Sequence, residues 1–381
     1  MMKFAIYTLL FSVFIFLSIA QNEKEINEKK IVCYYTNWAP YRKEAKFTPT
    51  SIDPNVCTHL IYAFATFSNN FGLEPSDDWQ DITNNGYKDF NSLKEKNGNL
   101  KTLLSIGGTT EGSTRFSQIA ESEDKRNYFT KSAIELLRKH NFDGINLDWQ
   151  FPTVGLGSKK EDLGNYVKLA QSLSEGFANE AKETNKTRLM VTMTVPSEIE
   201  YIDNGYDLLN LQKYIDFFNL LTYDYHLSFE HNVNHHAPLY SLPKENNTNL
   251  NADATIQHLL KKGVMSEKLN LGIPNFGRNY KLENVDKYDL GAPSKGGQGS
   301  KEFSSYYDIC KTTKEGNWTI VHVNETAMLP YAYKDEDWVG FDDEESAYAK
   351  GEYARNQGLG GIMFWTIDYD DFNGDCGHGK F

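Results

Sequence analysis

Residues 143–152, which read DGINLDWQFP, constrain the possible folds more than any other stretch of the chain. Read with the period of two of a β-strand, they place an apolar row on one face and a polar row on the other. The apolar row is Ile145, Leu147 and Trp149, and the polar row is Asn146, Asp148 and Gln150. A polar row is typical of a half-exposed strand with one face in water, and it also suits a site for a polar ligand.

The surroundings of this stretch favour the ligand site. Strand patterns alternate with helix patterns on both sides of it, which predicts a parallel sheet covered on both faces. Strands are predicted at residues 31–36, 58–67, 101–105, 143–152, 188–195, 215–223, 268–273 and 361–367, and helices at 87–96, 122–140 and 163–182. This alternation predicts an α/β fold, a (β/α)₈ TIM barrel, rather than an open sheet. Length alone would also allow two ordinary domains.

The gap between the seventh and eighth predicted strands is much longer than the others. Residues from about 280 to 345 are rich in Gly, Tyr and Asp and contain short strand-like pieces such as 318–323. We predict a small α+β insertion domain that forms one wall of a cleft, because the alternative, a long loop without structure, is uncommon at this length.

The first twenty residues are predicted to be a signal peptide. Lys3 supplies a basic start, residues 4–17 are apolar, and residues 18–20 fit a cleavage site. The alternative is an uncleaved membrane anchor, but the apolar run is short for a span and no basic flank follows it. We therefore expect a secreted, extracellular protein with a mature chain of residues 21–381 and no membrane partner.

Charge and glycosylation motifs agree with that expectation. The formal net charge is −13, and no basic run would follow a nucleic-acid backbone, so we expect no nucleic-acid partner. The acidity argues against polyanionic ligands. The acceptor motifs for N-glycosylation lie at Asn185, Asn246, Asn317 and Asn324.

Residues 143–152 also carry a family resemblance. The stretch resembles the signature of glycoside hydrolase family 18, the chitinases, whose pattern is Asp-Gly-x-Asp-x-Asp-Trp-Glu-Tyr-Pro. Other segments lie where family motifs lie, at residues 33–38, 105–108, 223–224, 276–278 and Trp365. The resemblance covers most of the mature chain and implies a TIM barrel with an insertion and a cleft for chitin or N-acetylglucosamine oligosaccharides.

The chain departs from the family pattern at positions that matter for catalysis. Asn146 stands where the pattern has Asp, and Gln150 stands where it has the Glu that protonates the glycosidic oxygen. Thr109 replaces a usual Trp and Leu221 a usual Met. Because a glutamine amide cannot give up a proton, we expect no catalytic residue and a degenerate site of Asn146, Asp148 and Gln150. A single carboxylate between two amides is expected to need no pKa adjustment at neutral pH.

Ligand-binding residues are predicted from the C-terminal ends of the strands, where sites in barrels lie. This criterion selects Tyr34, Trp38, Phe64, Gly108, Thr109, Asp148, Gln150, Met193, Tyr223, Asp224, Phe276, Arg278, Met363 and Trp365. Aromatic rings suit the apolar faces of sugars, although any single aromatic residue could instead belong to the core. By the resemblance, Trp365 floors the central sugar subsite, Tyr223 and Asp224 hold its N-acetyl group, Trp38 stacks on a more distant ring, and Arg278 binds sugar hydroxyls.

Four cysteines allow three disulfide connectivities. Cys33 and Cys57 fall at the start of successive strands, which are neighbours in a barrel, so we predict the pairs Cys33–Cys57 and Cys310–Cys376. The resemblance implies the same pairing. No metal-binding spacing occurs, and we expect no metal and no cofactor.

Together these features predict a monomeric, secreted chitinase-like protein that binds chitin or N-acetylglucosamine oligosaccharides without hydrolysing them. The alternatives are an active chitinase with a displaced acid, and a protein-binding signalling ligand with a vestigial cleft. We expect no separate chitin-binding module. The family normally adds a last helix after the eighth strand. The chain reaches Phe381 soon after Cys376, so either the barrel lacks that helix or the sequence is incomplete.

Overall fold

The computed structural model describes residues 29–242, 247–296, 301–323 and 329–376. The predicted signal peptide and the glycosylation motifs at Asn246 and Asn324 lie outside the described residues. The motifs at Asn185 and Asn317 lie on exposed turns. None of the described helices is both long and apolar enough to cross a membrane.

The described ranges contain strands and helices in alternation. The strands are β1 (Lys30–Thr36), β2 (His59–Phe67), β3 (Leu73–Pro75), β4 (Lys101–Gly107), β5 (Gly144–Asp148), β6 (Met190–Val195), β7 (Phe218–Leu220), β8 (Leu269–Pro274), β9 (Phe276–Lys281), β10 (Phe303–Ser305), β11 (Thr319–Val323), β12 (Leu329–Lys334), β13 (Asp337–Gly340) and β14 (Gly361–Trp365). The helices are α1 (Gly86–Lys96), α2 (Thr114–Glu121), α3 (Glu123–Lys139), α4 (Asp162–Thr184), α5 (Ile199–Gly205), α6 (Leu208–Leu211), α7 (Ala252–Lys261), α8 (Tyr306–Glu315) and α9 (Glu344–Asn356).

Eight of these strands form a closed parallel barrel. Their order around the barrel is β1-β2-β4-β5-β6-β7-β8-β14, and β14 pairs back to β1. The prediction of a (β/α)₈ TIM barrel is therefore confirmed. One boundary differs in a way that matters for the site: β5 ends at Asp148, opposite Gly107 of β4, so Gln150 lies beyond the strand ladder.

The apolar row of β5 faces the helices. Ile145, Leu147 and Trp149 are fully buried in the core between the barrel and its helices. Trp149 stacks on Phe116 of α2 with ring centroids 5.2 Å apart and meets Tyr166 of α4 edge-on at 4.9 Å. Burial of a large apolar side chain stabilises the fold by about 1.5–3 kcal/mol, so this row anchors the strand that carries the polar row.

Helix α3 shows why the helix predictions succeeded. Its N-cap, Ser122, accepts a hydrogen bond from the backbone N–H of Lys125 at 3.4 Å. The first turn carries acidic side chains and the last turn basic ones, an arrangement that stabilises the helix dipole. These signals are local, so the predicted range of 122–140 differs from the observed helix by one residue at each end.

The insertion between β8 and β14 is a five-stranded antiparallel sheet in the order β10-β9-β13-β12-β11, with α8 beside it. It begins at Phe276 rather than near residue 280. The residues predicted at the end of the seventh barrel strand, Phe276 and Arg278, therefore lie on the first strand of the insertion.

The disulfides are Cys33–Cys57 and Cys310–Cys376, as predicted. The first joins the beginnings of two neighbouring barrel strands, and the second ties α8 of the insertion to the segment after β14. Through Cys376, a short turn at Ile367–Tyr369 follows β14 but no α-helix does. A groove of about 500 Å³ lies along the outer faces of β1 and β14.

Candidate functional site

The polar row of β5 begins inside the barrel, at Asn146. This side chain is fully buried and donates hydrogen bonds to Ser105 Oγ at 2.9 Å and Thr194 Oγ1 at 3.1 Å. Its carbonyl oxygen accepts from Thr192 Oγ1 at 2.9 Å. The amide thus uses both donor hydrogens and its acceptor on neighbouring strands. Asn146 belongs to the interior polar network rather than to the open end of the barrel.

Asp148 ends the strand and is only 2% exposed. Burial raises its pKa to about 7, although the hydrogen bond from Gln150 Nε2 to Asp148 Oδ1, at 3.0 Å, acts in the opposite direction. The expectation that this row needs no pKa adjustment is therefore wrong. The expectation rested on the two amides beside Asp148 in the polar row. The loss of water around the carboxyl raises its pKa more than the single hydrogen bond from Gln150 lowers it.

Gln150 lies half-buried at the end of the polar row, where the barrel opens. Its Nε2 donates to Asp148, and its Oε1 accepts from Thr109 Oγ1 at 2.9 Å. The two residues predicted as departures from the family pattern on neighbouring strand ends, Thr109 and Gln150, are thus in direct contact. This chain of hydrogen bonds holds the amide in place, and it contains no group at position 150 that can give up a proton.

A second carboxylate, Asp224, follows β7 and has different surroundings. Arg278 binds it with two parallel hydrogen bonds, from Nε to Oδ1 at 2.8 Å and from Nη2 to Oδ2 at 2.7 Å. His236 Nδ1 lies 3.3 Å from Oδ1. Burial by itself would raise the pKa of Asp224, but the hydrogen bonds of His236 and Arg278 and their charges outweigh it and lower the pKa to about 2.

Tyr223 precedes this carboxylate in the chain and is 6% exposed. Its ring meets Phe276 edge-on with centroids 5.7 Å apart. Its hydroxyl is buried and has no hydrogen-bond partner among the described residues. Buried hydroxyl groups are normally paired, and Tyr223 shares this unusual state with tyrosines of the core such as Tyr87 and Tyr166.

Aromatic rings connect the strand ends in a row. Tyr34 lies 5.2 Å from Trp365, Trp365 lies 5.9 Å from Phe64, and Phe64 stacks on Trp38 at 6.2 Å with an interplanar angle of 25°. Exposure rises along the row, from the buried Tyr34 to Trp38, which is 39% exposed. Such a row presents flat apolar surface at the open end of the barrel. We call this open end, formed by the C-terminal ends of the barrel strands, the cleft.

A glycine allows the row to pack closely. Gly108 has a φ of +79°, and a Cβ atom added there would lie 2.8 Å from ring carbons of Phe64. The position therefore needs a residue without a side chain for both its backbone conformation and its contact. That Gly108 contacts a ligand stays a prediction. In the structure its missing side chain leaves room for the Phe64 ring.

One predicted binding residue does not face the cleft. Met193 is fully buried in the layer between the barrel and its helices, because its neighbours Thr192 and Thr194 point into the barrel and strand alternation turns Met193 outward. The prediction for Met193 is wrong. Met363 does point into the barrel, where it belongs to the same cluster as Tyr34.

Several residues around the cleft were not predicted. His236 contacts Asp224, the exposed Tyr41 donates a hydrogen bond to Asp77 at 2.7 Å, and the exposed Trp79 lies in the helical turn Trp79–Thr83 after β3. Asp81, in that same turn, is almost completely buried. The sequence carried no local signal for the aromatic pair, because only the structure shows that these side chains are exposed. His236 and Asp81 gave no local signal.

The structure contains one group of potential metal ligands among the described residues: Cys310, Asp371 and Cys376. The two cysteines form a disulfide, so they offer no thiolates. Asp371 accepts hydrogen bonds from the backbone N–H groups of Asp375 and Cys376. The group therefore suits loop closure rather than a metal.

The chemistry of the cleft suits a ring with apolar faces and a polar rim. It offers stacked aromatic surface, one carboxylate that is ionised at neutral pH, a buried carboxyl near its titration point, and an unpaired hydroxyl. These groups can bind and orient a sugar. At position 150 the cleft offers an amide, which donates hydrogen bonds but does not transfer a proton.

Comparisons with known proteins agree with this description. Residues 30–370 match the sequence pattern of glycosyl hydrolases family 18. The chain is 40% identical over 364 residues to chitotriosidase-1 of Mus musculus, covering 92% of this chain and 76% of that protein. It is 38% identical to an oviduct-specific glycoprotein of Ovis aries over 92% of its own length, but it spans only 65% of that protein.

Solved structures of relatives include a chitinase and a pseudo-chitinase. A Group IV chitinase of Ostrinia furnacalis, crystallised with allosamidin, has a TM-score of 0.87 and 35% identity, with 93% of this chain and 96% of that chain covered. Human YKL-39, described as a pseudo-chitinase with retained chitooligosaccharide binding properties, has a TM-score of 0.85 and 36% identity, with 93% and 97% covered.

Proposed function

The chain belongs to glycosyl hydrolases family 18, and from that premise we propose that it is a secreted protein that binds chitin or N-acetylglucosamine oligosaccharides without cleaving them. The observation that carries the proposal is Gln150. It occupies the position of the acid in the family pattern, two residues after Asp148, and hydrogen bonds to Thr109 and Asp148 hold its amide. General acid catalysis is typically worth about 10²–10⁴-fold, so its loss leaves binding as the main activity.

Binding is supported by the groups that surround the amide. Trp365 presents a ring between Tyr34 and Phe64 and would form the floor of a sugar subsite. The Tyr223 hydroxyl lacks a partner among the described residues, and a sugar substituent would supply one. Asp224 stays ionised because of Arg278, so it accepts hydrogen bonds from amide or hydroxyl groups of a ligand.

The relatives support both halves of the proposal. YKL-39 is described as a pseudo-chitinase that retains chitooligosaccharide binding, and this chain matches it over almost its whole length. We propose the same combination here.

Secretion is proposed from three features. Residues 1–20 have the pattern of a signal peptide. Two disulfides suit an oxidising compartment. The glycosylation motifs at Asn185 and Asn317 lie on exposed turns, where an oligosaccharide can be attached.

A second candidate function is hydrolysis with Asp148 as a displaced acid. Its pKa of about 7 keeps a fraction of the carboxyl groups protonated at neutral pH, and a protonated carboxyl can act as an acid. The 40% identity to chitotriosidase-1 also favours this candidate. Gln150 opposes this candidate, because its Nε2 already donates a hydrogen bond to the Asp148 carboxyl that would have to supply the proton.

The test combines turnover of a fluorogenic chitobioside with a chitin pull-down. We expect retention on chitin without turnover above background, and loss of retention in Trp365→Ala. Tyr348→Ala is the matched control, because Tyr348 is an aromatic residue 71% exposed on α9, outside the cleft. Turnover by the wild type would establish the hydrolase instead. Absence of both binding and turnover would favour a protein-binding ligand with a vestigial cleft.

A further inference from the structure

The turn after β3 contains a buried carboxylate that the site described above does not use. Asp81 is 1% exposed and lies in the helical turn Trp79–Thr83. It accepts hydrogen bonds from Tyr62 Oη at 2.8 Å, from Asn37 Nδ2 at 3.1 Å and from the backbone N–H of Asp77 at 3.1 Å. These donors come from β2, from the end of β1 and from the turn itself, so Asp81 joins three separate parts of the chain.

One of these connections, through Asn37, leads to the aromatic row of the cleft by two routes. Asn37 immediately precedes Trp38, and it also donates to Ser76 Oγ at 2.9 Å. Ser76 in turn donates to the backbone carbonyl of Phe64 at 2.6 Å. Residues 76–81 therefore bond to the side chain that precedes Trp38 and to the backbone of Phe64, the two residues whose rings stack.

The chemistry of Asp81 suits this role. A carboxylate has two oxygen atoms; here Oδ1 accepts from Tyr62 and Asn37, and Oδ2 accepts from the backbone N–H of Asp77 and, at 3.4 Å, from Asn37. Burial raises the pKa of Asp81 to about 6, so the group is still mostly ionised at pH 7. An asparagine would offer one oxygen only. Its NH₂ group would face another donor and leave a buried hydrogen-bond donor unpaired.

We propose that Asp81 is a positioning residue of the cleft, which holds Trp38 against Phe64 in the arrangement that receives the outer rings of a long oligosaccharide. This inference rests on the proposed function, because it assumes that the cleft binds N-acetylglucosamine oligomers. Asp81 does not touch the ligand. It acts through Asn37 and Ser76 on the backbone that carries the two rings.

The test is a double-mutant cycle with Asp81→Asn and Trp38→Ala, measured by calorimetric titration with the N-acetylglucosamine tetramer and dimer. We expect Asp81→Asn to weaken tetramer binding by roughly three- to tenfold, the scale of one aromatic contact, and to affect the dimer less. In the Trp38→Ala background, Asp81→Asn should cause no further loss, because residues that act through one contact are not additive.

A ligand-free readout separates positioning from general destabilisation. The near-ultraviolet circular dichroism that Trp38 contributes, taken as wild type minus Trp38→Ala, should change when Asp81→Asn is introduced into both proteins. Asp143→Asn is the matched control. Asp143 also accepts a backbone N–H, from Thr102 at 2.8 Å, but it lies just before β5, at the opposite end of the barrel. It should cost stability without changing affinity or the Trp38 signal.

The outcomes distinguish this inference from the proposed function. Equal losses for tetramer and dimer, an additive effect in the Trp38→Ala background, or an unchanged Trp38 signal would overturn the role of Asp81 while leaving binding established. Failure of the wild type to bind the tetramer would overturn both. If Asp81→Asn does not fold, the exposed Ser76→Ala, which removes the bond to the Phe64 carbonyl, enters the same cycle with the same expectations.

Discussion

Two carboxylates at the cleft, Asp148 and Asp224, have opposite electrostatic properties. Asp148 is the last residue of β5 and is almost completely buried, whereas Asp224 follows β7 and its side chain is 33% exposed. Asp148 receives a hydrogen bond from the neutral Gln150 amide, and its pKa rises to about 7. Asp224 receives two from Arg278, and its pKa falls to about 2. The two pKa values therefore differ because Asp224 has His236 and the Arg278 guanidinium beside it, whereas Asp148 has only a neutral amide to offset its burial.

The protonation states of Asp148 and Asp224 affect what the cleft can bind. At neutral pH Asp224 is ionised and paired with the Arg278 cation, whereas Asp148, with a pKa of about 7, is partly protonated. Asn146 adds no charge, because its amide is fully used inside the barrel. Such a site suits hydrogen bonds to a neutral ligand, and position 150 carries an amide rather than an acid.

The largest expected effect is on the pH dependence of stability through Asp148. Its pKa in the folded state is above its unfolded value of 3.8, so its ionisation disfavours folding. The penalty is absent below about pH 4, grows between about pH 4 and 7, and is constant at roughly 4 kcal/mol above that range. Urea unfolding at a series of pH values should show this loss for the wild type but not for Asp148→Asn. Parallel curves for the two proteins would contradict the raised pKa.

The next effect is the loss of the partner of Arg278. We expect Asp224→Ala to reduce the free energy of unfolding at pH 7 by about 3 kcal/mol, because a largely buried guanidinium is left unpaired. Asp337→Ala, which removes the more exposed partner of Lys281 in the same insertion sheet, should cost less than about 1 kcal/mol.

The same variant tests the sign of the Asp224 shift. Because the pKa of Asp224 is lowered in the folded state, its stabilisation is present above the unfolded value of 3.8 and is lost as the pH falls toward 2. The difference between wild type and Asp224→Ala should therefore shrink in acid, opposite in direction to the effect of Asp148. A difference that grows on acidification would show that the ion pair is absent.

The smallest expected effect is the gain of activity in Gln150→Glu. The new carboxyl would lie beside Asp148, and the Thr109 hydroxyl would favour its ionised form by donating a hydrogen bond. We expect hydrolysis of a fluorogenic chitobioside to stay within roughly tenfold of background. Gln150→Glu combined with Thr109→Val removes that donor and should be the more active of the two. Robust hydrolysis by the single variant would show that only the acid was missing.

Much of the fold followed from the sequence because its signals are local. The alternation in β5, the caps and charges of α3 and the spacing of eight strands each depend on residues close together in the chain. Strand ends then selected most of the cleft residues, including Tyr223, Asp224 and Trp365. The selection failed for Met193, because one strand contributes side chains to two different layers and the phase of β6 was not settled by its apolar sequence.

The sequence by itself determined the barrel, the two disulfides and the amide at position 150, since these depend on periodicity, on cysteine placement and on residue identity. Only the tertiary structure decided the charges and contacts of the site: the raised pKa of Asp148, the binding of Asp224 by Arg278 from the insertion, and the support of Trp38 by Asp81. The physical reason is that hydration and hydrogen-bond partners depend on which distant segments meet, and that information is absent from any one stretch of the chain.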